Sequence, residues 1–171
     1  YIPSLAEFFG FPHTGSDSYA QSVSLDKNLT KLIAGNIGVP VKPHVIVRNK
    51  PDLEKIYFQK PQIWKPNYEG SGIAISGKNI IQGKEDIKNL GKILKDHQEI
   101  IVEEFLPGEE YTLGVIGNRG DYKVTKAAIV TYPGKVYGYK VKTKSKMPEK
   151  LKFNMDLKTE TKIQEYTIQL A

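Results

Sequence analysis

The order of helical and strand-like segments predicts an α+β fold with mixed sheets. Three observations carry this. Apolar residues recur at helical spacing in two long stretches, Leu25, Leu29, Leu32 and Ile33, then Ile87, Leu90, Ile93 and Leu94. Short β-branched runs surround them, among them Val45 to Val47 and Ile100 to Val102. Beyond Pro107-Gly108 the pattern turns to strands about Asn118-Arg119-Gly120-Asp121, a hairpin signature, before a last helix. Helices and strands neither alternate regularly nor separate fully, which is the α+β pattern.

Composition narrows the class. A chain of 171 residues makes one domain or two small ones, and 39% hydrophobic with 26% charged residues supports an ordinary core. No cysteine is present, so disulfides are excluded. No apolar run approaches the ~18 residues of a membrane span, and no signal peptide is visible, so cytoplasm is the default. The net charge of +6 and a pI of about 9.3 suit anionic partners or a lysine-rich wet surface. Tyr1 is not Met, and the apolar pattern of the last segment stops abruptly at Ala171. Both ends suggest a piece of a longer protein.

Taken in order, residues 4 to 9 read as a short helix ending at Gly10, and 11 to 16 as a strand end and turn. Ser22 or Ser24 suits the cap of the next helix, whose stripe Leu25-Leu29-Leu32-Ile33-Ile37 reads as buried, with Gly38 and Pro40 as stop signals. Pro43 to Val47 is a strand, and Pro51 opens a short helix. Ile63-Trp64 leads as a strand into Lys65-Pro66, a polar loop and a second strand-like run at Ile73-Ala74-Ile75. Ile80-Ile81 continues the sheet. Lys84 to Asp96 is an amphipathic helix with Glu85 and Asp86 in its first turn and Lys95 in its last, matching the helix dipole. Glu99 to Val102 is a buried strand. Tyr111 to Gly117 pairs with Tyr122 to Thr131, and Val136 to Val141 is a further strand. A polar connection after Pro148 leads to the last helix. A subdomain boundary falls near Pro107-Gly108, dividing the chain before and after 107.

The loop from Asn67 to Gly72 holds chemical interest. Glycines at 70 and 72 flank Ser71, so backbone amides can approach a ligand closely, and successive amides with a hydroxyl cradle phosphate oxygens. Lys65 sets a compact cation at the loop's base. This is neither a Walker A loop nor Gly-x-Gly-x-x-Gly, and the bare pattern also fits a plain glycine hairpin. Glu103 and Glu104 alone read as a solvated strand end. Lys140, Lys142, Lys144 and Lys146 alternate as one wet face of an edge strand would. His13, His44 and His97 stand apart and suggest no metal cluster.

In sequence order these pieces resemble the ATP-grasp ligases, most closely the D-alanine–D-alanine ligases. The resemblance rests on Thr14-Gly15-Ser16, on Ser24-Leu25-Asp26-Lys27 with Thr30-Lys31, and on Gly38-Val39-Pro40. It continues through Lys65-Pro66 with Glu69-Gly70-Ser71, and through Val102-Glu103-Glu104-Phe105-Leu106 with Gly108 and Glu110. It implies an ATP-grasp fold of two α+β subdomains with antiparallel and mixed sheets, incomplete at both ends. It implies that Lys27 and Lys65 hold the α- and β-phosphates of ATP, and that the loop Glu69-Gly70-Ser71-Gly72 closes over them. Glu104, Phe105 and Leu106 would form the adenine hinge, Glu103 would orient the adenine edge or a lysine, and Glu110 would accept the ribose hydroxyls. Ser71 and Lys142 would act at the γ-phosphate. The Mg2+ ligands would lie beyond Ala171, so none is assigned here.

The family reaction phosphorylates a carboxylate, and an amine then attacks the acyl phosphate. The partners implied are ATP and a small amino acid, with a homodimer left open. Three residues depart from the family pattern: Gly72 replaces a second serine, Ala74 replaces a glycine, and Thr143 replaces a tyrosine that ties lid to loop. One alternative keeps the fold and changes the amino acid or peptide joined. Another is a noncatalytic nucleotide- or nucleic-acid-binding module built on the lysines of 140 to 152. Only Tyr137 and Tyr139 stand there for base stacking, which ranks that module last.

Overall fold

The computed structural model describes residues 2–57, 59–118, 120–144 and 150–171. Tyr1, Arg119, Lys146 and Pro148 lie outside the described residues, as does the side chain of Lys144. The chain opens with α1 (Ile2–Phe8), α2 (Ser18–Leu25) and α3 (Lys27–Asn36). A four-stranded antiparallel sheet follows, built from β1 (His44–Val47), β2 (Gln62–Pro66), β3 (Ile80–Ile81) and β4 (Ile100–Glu104) in the order β1-β4-β2-β3. A 3-10 turn at Lys50–Lys55 and α4 (Lys84–Ile93) lie between its strands in sequence. The second half has β5 (Glu110–Thr112), β6 (Val115–Asn118), β7 (Asp121–Val124), β8 (Ala128–Thr131), α5 (Tyr139–Lys144), β9 (Lys150–Lys152) and α6 (Leu157–Leu170).

Strand alternation divides the first sheet into two faces. One carries Val45, Val47, Trp64, Ile81, Ile100 and Val102, and packs with Leu90, Ile56, Leu53 and Ile87 from α4 and the 3-10 turn into the main core. Ile100 and Val47 are fully buried there. The expected stripe of α4 forms as read, because Leu90 buries completely while its charged residues face outward. The other face carries His44, Ile63, Lys65, Ile101 and Glu103.

Six expectations need correction. The helix expected to be capped by Ser22 or Ser24 is two helices. Asp17 caps α2 through the Ala20 amide, Asp26 caps α3 through the Leu29 amide, and the serines instead donate to backbone carbonyls of their own helix. The stripe expected to be buried is open: Leu25, Leu29 and Leu32 are 46%, 38% and 57% exposed. Asn28, Lys31 and Lys27 instead reach the sheet and its β2 end. No strand forms over 11–16.

The run at 73–75 is not a strand. Ser71, Gly72 and Ala74 have φ of 52°, 72° and 58°, a left-handed path incompatible with extended pairing. Nor is 136–141 a strand. The amides of Val141 and Lys142 both donate to the Gly138 carbonyl and start α5, so Lys140 and Lys142 sit on a helix. The long hairpin expected at 111–131 divides where Gly114 and Thr125 bond each other. Past that point β6–β7 forms its own ladder, and β5–β8–β9 forms a second sheet.

Candidate active site

The α3 side of the first sheet gathers the expected cations. Lys65 pairs with Ile101, so Glu103 is its diagonal neighbour on the same face. Lys65 Nζ donates to Glu103 Oε1 at 2.6 Å, and Lys31 Nζ reaches Oε2 at 2.6 Å. Burial pushes the Glu103 carboxyl upward. The attraction of Lys65 and the bonds from Lys31 outweigh it, and the carboxyl ends below the ordinary glutamate value. Glu103 therefore sits between Lys31 and Lys65, bonded to both.

Lys27 stands at the start of α3, where Nζ donates to the carbonyls of Asn67, at 3.2 Å, and Glu69. Burial first, and the charge of Lys65 second, hold its ammonium below the ordinary lysine value. Asn67 fixes this arrangement. It is fully buried, and its amide nitrogen donates to Asp26 at 2.9 Å and Glu99 at 2.8 Å. Its side-chain oxygen accepts from the Asn28 amide at 2.9 Å. One side chain thus joins the end of β2, the cap of α3 and the approach to β4, with Arg48 neutralising Glu99.

The glycine loop is organised from within by Asn79. This buried residue donates to the carbonyls of Trp64, at 3.1 Å, and Ala74, at 2.8 Å, while accepting from Ser76. Ser71 is exposed at the crest. The loop also meets α5. Tyr139 donates its amide to the Gly72 carbonyl at 3.0 Å, and a Cβ at Gly138 would collide with the Ile75 carbonyl. Glycine at 138 is thus required by close backbone approach.

Beyond β4 the chain borders two hollows. One, of about 580 Å³, is lined by Lys60, Pro61, Ile80, Gln82, Glu104, Phe105, Pro107 and Lys135. The other, of about 520 Å³, includes Leu106, Glu110, Ile129, Val130 and Tyr132. The Phe105 amide donates to the Pro61 carbonyl at 2.9 Å, and the Glu104 carboxylate is held by Lys42 at 3.0 Å and Lys60 at 3.3 Å. Glu110 Oε1 accepts from the Tyr132 hydroxyl at 2.6 Å. Lys142 Nζ lies 4.4 Å from the centre of the Tyr137 ring.

Lys27, Lys65 and Glu103 therefore form one cluster beside Glu69 and the glycine loop. Leu106 and Glu110 share a hollow that Lys27, Lys65 and Lys142 do not line, and α5, which carries Lys142, is tied to the loop through Gly72. Sequence reasoning assigned no role to Lys31, Asn67 or Asn79, although Lys31 belonged to a quoted motif and Asn67 directly follows Lys65-Pro66. Among the described residues no group of three or more His, Cys, Asp or Glu gathers to hold a metal. His44 bonds Asn28 at 2.8 Å, and the His97 ring lies 5.9 Å from that of Trp64. No helix among the described residues is long and apolar enough to cross a membrane.

Paired ammonium groups beside a glycine loop make an anion seat, and a hollow with apolar walls next to a strand end suits a flat ring. Comparison with known proteins points the same way. The chain is 29% identical over 172 aligned positions to a D-alanine--D-alanine ligase of Aquifex aeolicus, covering 99% of this chain and 56% of the relative. A second such ligase, from Lactobacillus helveticus, is 29% identical and 47% covered, so the chain spans about half the length of the curated relatives it matches. Among solved structures, the VanG D-Ala:D-Ser ligase of Enterococcus faecalis superposes with a TM-score of 0.81 at 20% identity, over 99% of this chain and 50% of that one. The shared architecture is the ATP-grasp fold. A family model described as "D-ala D-ala ligase C-terminus" matches residues 33–171, and this chain belongs to that family.

Proposed function

We propose that this chain supplies the ATP-binding part of an ATP-dependent carboxylate–amine ligase of the D-alanine–D-alanine type, which joins two D-alanines through an acyl phosphate. The observation that carries it is the cluster Lys27–Lys65–Glu103–Lys31, held by buried Asn67 at the foot of a glycine loop. A related D-alanine--D-alanine ligase from Bacillus anthracis is known complexed with ATP, with a TM-score of 0.66 to this chain at 22% identity. In this reading Lys27 and Lys65 bind the α- and β-phosphates, Glu69 to Gly72 cover them and exclude water, and Ser71 and Lys142 meet the γ-phosphate. Adenine lies against Glu104, Phe105 and Leu106, and Glu110 takes the ribose hydroxyls. Phosphoryl transfer to the first carboxylate gives an acyl phosphate. Attack by the second amine forms the amide and releases phosphate. The chain's own contribution is positioning and charge stabilisation.

The reading divides the chain into a remnant of a substrate domain (1–22), a central lobe (23–107) and part of a second lobe (108–171). It includes cell-wall precursor synthesis in the cytoplasm, and Mg2+ associated with the nucleotide phosphates. The described residues offer no acidic cluster for that ion. The homodimer remains part of the proposal for the full-length protein.

ATP with Mg2+ raises the melting temperature of the full-length protein, and Lys65→Ala removes most of that rise. An unmoved melting temperature in the unaltered protein overturns the reading in favour of a noncatalytic module. A second reading keeps the chemistry and changes the amino acid. Thr143, where a tyrosine is expected, favours it, and the D-Ala:D-Ser ligase is one relative of this fold. Phosphate release that depends on D-alanine alone supports the first reading; dependence on another amino acid selects the second.

A further inference from the structure

Glu110 and Lys142 belong to different elements, yet a run of aromatic contacts joins them. Glu110 pairs with Val130 across β5–β8, so Tyr132, two residues on, is its diagonal neighbour. The Tyr132 hydroxyl donates to Glu110 Oε1 at 2.6 Å. Its ring stacks on Tyr137, centroids 5.0 Å apart and planes 22° from parallel. Lys142 Nζ rests 4.4 Å from the Tyr137 ring centre. Tyr132 also lines the hollow beside Leu106 together with Glu110.

We infer that Tyr132 is a positioning residue for the nucleotide: its hydroxyl sets the Glu110 carboxylate, and its stack on Tyr137 sets the ring that steadies Lys142. This rests on the nucleotide reading above and adds a residue to it. An exposed glutamate loses rotamer freedom when it binds a diol, so one already held by a phenol loses less. The carboxylate still has lone pairs for ribose hydroxyls, since a phenol uses only one of about four acceptor sites. Burial, followed by the bond to Glu110, raises the Tyr132 phenol above the ordinary tyrosine range, so it stays a donor. The ring face of Tyr137 attracts the Lys142 ammonium without removing its charge.

The test measures binding of ATP, ADP and 2′,3′-dideoxy-ATP to the full-length protein. Tyr132→Phe keeps the ring and removes the donor. It narrows the preference for ATP over the dideoxy nucleotide by about threefold to tenfold, the range of one ordinary hydrogen bond. Tyr137→Leu narrows the preference for ATP over ADP and leaves the ribose preference alone. Either preference left unmoved overturns the corresponding half of the bridge. If Tyr132→Phe does not fold, the ring resonance of labelled Tyr132 in the unaltered protein decides: it moves on adding ATP, and a resonance blind to ATP overturns the inference. An unaltered protein that ignores ATP sinks the nucleotide reading itself. One that binds ATP, with preferences indifferent to Tyr132, sinks only this inference.

Discussion

The two halves of the chain hold their site residues in different ways. From β1 to β4 the sheet has a closed apolar core on one face, and the lysine cluster on the other is pinned by polar groups, buried Asn67 and half-buried Glu103 above all. From β5 to α6 the strands are short, and both β5 and β9 are exposed throughout. Among the described residues of this half, the buried apolar side chains are those of the brief run Ala127 to Val130. There exposed Glu110 and Lys142 are held by half-buried aromatics, Tyr132 and Tyr137. Buried networks impose one geometry because every unmet bond is costly, whereas surface contacts bias a geometry without enforcing it. The first half therefore fixes its polar cluster, and the second only biases its own.

Core truncation tests this contrast most strongly. Ile100→Ala, at a fully buried position, costs about 4 kcal/mol, while Ile129→Ala in the second sheet costs about 2 kcal/mol. Urea unfolding of each variant measures both, and equal losses break the comparison. Glu103→Gln comes next. It leaves Lys31 and Lys65 facing each other without a countercharge and costs about 2–3 kcal/mol.

The same residue has a pH signature. Because the folded carboxyl lies below its ordinary value of 4.5, its stabilisation is full above that pH and is lost as pH falls through the lower, folded value. Acid unfolding of the Glu103→Gln variant lacks that component. Gly138→Ala pushes a methyl group into the Ile75 carbonyl, detaches α5 from the loop, and costs about 1–2 kcal/mol. Limited proteolysis within 68–76 reports the freed loop. The smallest effect has the opposite sign: Ala74→Gly relieves a left-handed alanine and stabilises by about 1 kcal/mol, read from thermal melting.

Much of the first half was legible because its signals are local. The stripe of α4 and the apolar run before Glu103 define their elements without outside help. The glycine loop misled because Ile73-Ala74-Ile75 has strand composition, while its path is set by particular hydrogen bonds, from the Asn79 side chain and the Tyr139 amide. The lysines near 142 misled for the same reason. Their alternation fits a strand, but the Gly138 carbonyl starts a helix there. The open stripe of α3 shows the limit of periodicity, which identifies an apolar face without saying what covers it. Lys65 and Glu103 were readable as candidates. That Lys31 completes them, and that Asn67 locks Lys27 in place, depends on chain crossings no spacing reveals.

If Lys65 binds phosphate as proposed, the double grip on Glu103 has a consequence for how that anion is received. Lys65 can turn toward the newcomer without stranding a half-submerged anion, because Lys31 remains as its counterion. The trio then works as a relay of charge, in which one cation is released for duty while the other stands guard.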